Sequence, residues 1–140
     1  MENDAAAEDE LRMVIQRISR RIRSNRPDGS VGDTQFAVLV HLNERGPLGP
    51  SELATLERVT PPSMNRTLNG LEEDGFVTRS KSTDDARKVI VDLTPAATSL
   101  LAETRRLRTA WFSRHLAELE PGERDDLLRV LPVLRKLAER

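Results

Sequence analysis

The residues of this chain best suited to a chemical task lie close together: Pro62, Ser63, Asn65, Arg66, Thr67 and Asn69 combine small and uncharged polar side chains with one guanidinium. An arginine can bridge guanine O6 and N7, an asparagine can pair with adenine, and serine or threonine can reach phosphate or base edges. A second set follows at once. Arg79, Lys81, Arg87 and Lys88 set four cations against the two acids Asp84 and Asp85. Cations so spaced can neutralise phosphates, and an arginine at a hairpin tip, here Arg87, can enter a narrow minor groove where the potential is most negative. A bare carboxylate is repelled by phosphate, so Asp85 reads as an orienting partner for the tip.

Other chemistries lack their residues. With no cysteine in the chain, disulfides, thiolate metal sites, cysteine nucleophiles and thiol redox sensing are excluded. His41 and His115 are the only histidines, and neither has a second His or Cys ligand three or four residues away, so no metal or other cofactor is expected. There is no glycine-rich phosphate loop and no nucleophile motif, which argues against an enzyme. No apolar run approaches the roughly 20 residues that span a bilayer, and the acidic opening is the reverse of a basic signal-peptide start, so a cytoplasmic protein without a membrane association is expected. A formal net charge of −1 hides strong segregation: residues 11–26 hold six arginines and no acid. Such a patch acts locally, because screening confines its field to about 10 Å.

The elements that must hold these residues are marked by periodicity and punctuation. In residues 8–26, Leu11, Val14, Ile15, Ile18 and Ile22 recur at helical spacing. Pro27-Asp28-Gly29-Ser30 breaks that helix, and Asp33 is placed to cap a second one ended by Gly46. A short third helix opens at Gly49-Pro50 and fades near Val59; Thr60 then caps a fourth, with Pro61 at its first position and Gly75 beyond its end. Over residues 60–74 a turn of about 100° per residue puts Met64, Leu68 and Leu71 on one stripe. Pro62, Arg66 and Asn69 fall opposite. Glu72, Glu73 and Asp74 crowd the C-terminal end, where they would repel phosphate, so the N-terminal half is the part expected to enter a groove.

After Gly75 the period changes to alternation, predicting a hairpin over residues 76–93 with its polar tip at Asp84-Asp85-Ala86-Arg87. Thr94-Pro95 restarts a helix that runs to about Leu119, and Pro121 opens a last helix, kinked at Pro132, with Leu127, Leu131, Leu134 and Ala138 on one stripe. The expected fold is therefore mainly α with a small β wing: about six helices and a two- or three-stranded antiparallel hairpin in winged helix-turn-helix order. Residues 1–140 read as a single domain, with a DNA-binding lobe over 33–93, a recognition helix over 60–74 and a wing over 76–93. The helices of 8–26 and 95–140 carry apolar stripes that need a partner. Leu11, Val14, Ile15, Ile18, Trp111, Leu127, Leu131 and Leu134 are the expected dimer-interface residues.

Several of these runs resemble the multiple-antibiotic-resistance regulator (MarR) family. They are Ser51-Glu52-Leu53-Ala54, Pro61-Pro62-Ser63-Met64-Asn65-Arg66-Thr67-Leu68, Leu71-Glu72 and Gly75-Phe76-Val77-Thr78-Arg79. The wing pattern Asp85-x-Arg87 leading to Val91-Asp92-Leu93-Thr94 is similar to that family's wing as well. The resemblance implies a homodimer with interlocked terminal helices, two wings straddling a palindromic double-stranded operator, and repression relieved by a small phenolic or other apolar effector. Pro95-Ala96-Ala97 stands where family members commonly carry a glycine, and the lack of cysteine excludes the thiol-oxidation branch. Phe36, Phe76, Trp111 and Phe112 are the only aromatic rings available to an effector. The residues also leave open a winged-helix module that binds a protein partner or structured RNA without reading DNA bases.

Overall fold

The computed structural model describes residues 2–140. Its elements run α1 (Glu2–Arg23), α2 (Asp33–Arg45), α3 (Pro50–Glu57), α4 (Pro61–Glu73), β1 (Val77–Lys81), β2 (Val89–Leu93), α5 (Pro95–Ala117), α6 (Pro121–Arg129) and α7 (Leu131–Ala138). They divide into two compact units: one takes in residues up to Arg26 together with Arg106–Arg140, the other Pro27–Arg105.

The second unit is built round one apolar core. Val38, Leu39 and Leu42 from α2, Leu53 from α3, and Met64, Leu68 and Leu71 from α4 meet Val77 and Val91 of the hairpin and Ala97 and Leu100 of α5. Each helix start is satisfied locally. The N–H of Gly32 donates to Gln35 Oε1 and that of Gly49 to Glu52 Oε1, both at 3.3 Å. Thr60 Oγ1 accepts from the N–H of Ser63 at 3.3 Å. Asp33, expected as the cap of α2, is instead its first residue; Gly32 holds the cap position in extended conformation. A carboxylate in that first turn still faces the positive end of the helix dipole.

The turn between α3 and α4 is tight. Arg58 sits in the left-handed region with φ 53° and ψ 43°, and the N–H of Val59 reaches back to Ala54 O at 3.0 Å. A side chain in this conformation costs about 1 kcal/mol relative to glycine. At the far end of α4 the same geometry falls on Gly75, φ 80°, with the N–H of Phe76 bonded to Leu71 O at 2.9 Å.

β1 and β2 pair antiparallel with Val77 opposite Leu93, Arg79 opposite Val91 and Lys81 opposite Val89. Leu48 adds a single bridge to Val91, with N–H···O distances of 3.1 and 2.8 Å, so the wing is two-stranded with a one-residue third member. Among the described residues there are seven helices, because the expected kink at Pro132 is a full break. A proline inside a helix removes an amide donor and drives its ring into the carbonyl four residues back. Here α6 ends at Arg129, Val130 takes φ −84° and ψ −2°, and Pro132 falls in the first turn of a new helix.

In the first unit α1 begins well before residue 8, through Ala5, Ala6 and Ala7, which favour helix, and ends at Arg23. Arg108 Nη2 donates to Arg23 O at 3.4 Å, and the Arg21 guanidinium lies 5.4 Å above the Trp111 ring. Trp111 in turn lies against His115, ring centroids 4.0 Å apart. An open apolar groove of ≈ 470 Å³ is lined by Ile15, Ile18, Phe112, Leu116, Leu127 and Leu134, among others. No helix among the described residues is long and apolar enough to cross a membrane.

Candidate nucleic-acid interface

Helix α4 is anchored by Met64, Leu68 and Leu71, all fully buried. Burial of that stripe turns the rest of the helix outward: Pro62, Asn65, Arg66 and Asn69 are exposed, Ser63 and Thr67 half-buried. The Thr67 hydroxyl donates to Ser63 O at 3.3 Å, a back-bond that seats it along the helix. Asn65 lines two neighbouring clefts. One, ≈ 560 Å³, runs between the start of α3 at Gly49, Pro50 and Ser51 and the wing residues Arg87 and Lys88. The other, ≈ 360 Å³, reaches Lys81 and Val89. The start of α3 was not among the DNA-contacting residues expected from the sequence. Its signal there, a Gly-Pro helix opening, marks a helix end and says nothing of what lies opposite.

The wing tip is folded on its own backbone. Asp85 Oδ1 accepts from the N–H of Arg87 at 3.0 Å, Asp85 O accepts from the N–H of Lys88 at 3.0 Å, and Lys88 O accepts from the N–H of Ser82 at 2.8 Å. The Asp85 carboxylate is thus engaged with a main-chain donor, and Lys81, Arg87 and Lys88 remain exposed around it. Of the four cations expected to face outward from the wing, one is arranged otherwise. Arg79 Nη2 donates to Asn69 Oδ1, and Arg79 Nε lies 3.6 Å from Glu72 Oε2. Arg79 therefore leans back on α4, its side chain only 21% exposed.

Behind this surface, His41 Nε2 and Glu57 Oε2 lie 3.0 Å apart and tie α2 to the last turn of α3. Sixteen residues separate the two in sequence, and no local spacing could have paired them. Among the described residues no group of three or more His, Asp or Glu could hold a metal ion.

The MarR family model matches residues 32–89, the span from the start of α2 into β2. An uncharacterized HTH-type transcriptional regulator of Mycobacterium bovis is 33% identical over 139 residues, covering 99% of this chain and 97% of its own. The chain belongs to the MarR family. It is a DNA-binding transcriptional regulator, not an enzyme. A second Mycobacterium bovis relative, an HTH-type transcriptional repressor, is 31% identical to this MarR protein over 100 residues, covering 71% of the chain and 72% of the relative. The fold agrees: a protein of Pseudomonas aeruginosa known from its crystal structure superposes with TM-score 0.85 at 27% identity, covering 100% of this chain and 99% of that one.

Outside the matched span, the chain displays the apolar residues singled out on its terminal helices. Leu11 is 54% exposed, Val14, Ile15 and Ile18 each 41%, Leu127 45%, Leu131 47% and Leu134 37%. Trp111 differs, being half-buried beneath Arg21 and against His115.

Proposed function

We propose that this MarR regulator is a sequence-specific repressor that binds a palindromic double-stranded operator as a homodimer in the cytoplasm. The observation that carries the proposal is the polar outer side of α4, with Asn65 and Arg66 exposed beside an exposed cationic wing tip. Pro62, Ser63, Asn65, Arg66 and Thr67 face base edges in the major groove, while Lys81, Arg87 and Lys88 hold phosphates or the neighbouring minor groove. Residues 60–74 serve as recognition helix, 76–93 as wing, and 33–93 together as the DNA-binding lobe. Asp85 orients the tip.

A palindrome needs a two-fold protein, and the terminal helices of 8–26 and 95–140 supply the surface for one. Leu11, Val14, Ile15, Ile18, Trp111, Leu127, Leu131 and Leu134 form its interface. Repression is supported by the related repressor of Mycobacterium bovis and works by occluding a promoter. A small phenolic or other apolar effector relieves it, a reading that rests on the family.

The test is a fluorescence-anisotropy titration of the protein on its own upstream region and on a scrambled duplex of equal length, repeated across salt concentrations. Operator binding at least about a thousandfold tighter than scrambled is expected. Equal affinity for both would point to a module that does not read bases.

A further inference from the structure

We infer that Arg79 is a positioning residue that braces the wing against the recognition helix, and is not a ligand of the DNA backbone. The inference rests on the base-reading role proposed for α4. Three observations carry it. Arg79 stands on β1 opposite the buried Val91, so its stem leaves the sheet on the side that faces the core. Its guanidinium is divided between two groups of one helix face, donating to Asn69 Oδ1 and lying 3.6 Å from Glu72 Oε2. Its side chain is 21% exposed, against 47% for Glu72.

These contacts have a chemical consequence for Asn69. The bond from Arg79 takes one of the two Oδ1 lone pairs of Asn69 and fixes the plane of its amide. The two-point contact to adenine N6 and N7 needs donor and acceptor aimed together at one base edge, so adenine recognition on α4 is assigned to the exposed Asn65. Because the fork of Arg79 spans strand and helix, it also sets the angle between the wing and α4.

The discriminating variants are Arg79→Lys, Arg79→Gln and Asn69→Ala, titrated as full-length protein on the operator and scrambled duplexes across salt. Lysine keeps the charge and loses the fork. A brace predicts that Arg79→Lys behaves like Arg79→Gln: the operator-to-scrambled preference falls about tenfold, and the salt slope stays within about half a unit of wild type on both duplexes. Asn69→Ala should lower the preference similarly, and the Asn69→Ala/Arg79→Gln double variant should be no worse than the weaker single.

A loss of about 0.9 in slope with Arg79→Gln, restored by Arg79→Lys, would make Arg79 a phosphate ligand and overturn the inference. So would additive losses in the double variant. If wild type shows no operator preference, the proposed function fails instead. The scrambled-duplex slope of Arg79→Gln then decides alone: an unchanged slope upholds the brace and a lowered one rejects it.

Discussion

The hydroxyl of Thr94 donates to the carbonyl oxygen of Gly75 at 2.6 Å, across nineteen residues of sequence, and accepts from the N–H of Ala97 at 3.3 Å. One side chain thus closes the base of the wing and caps α5. The N–H of Thr94 bonds to Phe76 O at 3.1 Å, so the entry and exit of the hairpin are stitched side by side. Pro95 follows in the first turn, where its missing donor costs nothing.

Replacing Thr94 with valine keeps the shape and removes both hydroxyl bonds. The expected loss is about 1 to 2 kcal/mol, the sum of a helix cap and one hydrogen bond. Urea unfolding should show a lower midpoint at unchanged slope, and a midpoint equal to wild type would contradict the double role.

Arg58 offers the opposite sign. Glycine takes the left-handed turn between α3 and α4 without the Cβ penalty, although it frees the unfolded chain. Arg58→Gly should therefore raise stability by up to about 1 kcal/mol. Thermal unfolding tests this: a lower melting temperature would mean the arginine side chain contributes more than its backbone costs.

Arg66→Ala should weaken operator binding by about 1 to 3 kcal/mol and relax the base preference beneath it. Anisotropy on operators altered one base pair at a time measures both. An equal loss on the scrambled duplex would remove Arg66 from base recognition.

Lys88→Ala should act differently. It should weaken every duplex alike and flatten the dependence of log affinity on log salt by about 0.9, one phosphate contact. An unchanged slope would place its ammonium away from the backbone.

The terminal helices are tested by charge. Ile18→Asp and Leu131→Asp alter side chains that are 41% and 47% exposed within a single chain, so the isolated fold should tolerate them. A carboxylate forced into an apolar interface is strongly unfavourable. Sedimentation velocity should show dimer dissociation favoured at least about a hundredfold, and variants that remain dimeric would relocate the interface.

Much of the lobe was legible in the residues alone. Thr60-Pro61 and Gly75 bracket α4, and the stripe of Met64, Leu68 and Leu71 states which side is buried; both signals are local, arising from backbone chemistry and a fixed helical period. The change to alternation after Gly75 marks the wing for the same reason. Local pattern was weaker where two signals compete. Asp33 is a good cap, yet Gly32 holds that place, since Gln35 satisfies its amide from within the helix. Pro132 announces a disruption, but a kink and a break carry the same proline.

Composition and period alone established a mainly helical chain with a basic hairpin, since these depend on interactions within a few residues. The pairing of Arg79 with Asn69 and Glu72, of His41 with Glu57, and of Thr94 with Gly75 was decided only when distant segments were brought together. Side chains that look equally free on a helical wheel differ in what the neighbouring element offers them. That is why spacing could name the cations of the wing but not which of them leans back on α4.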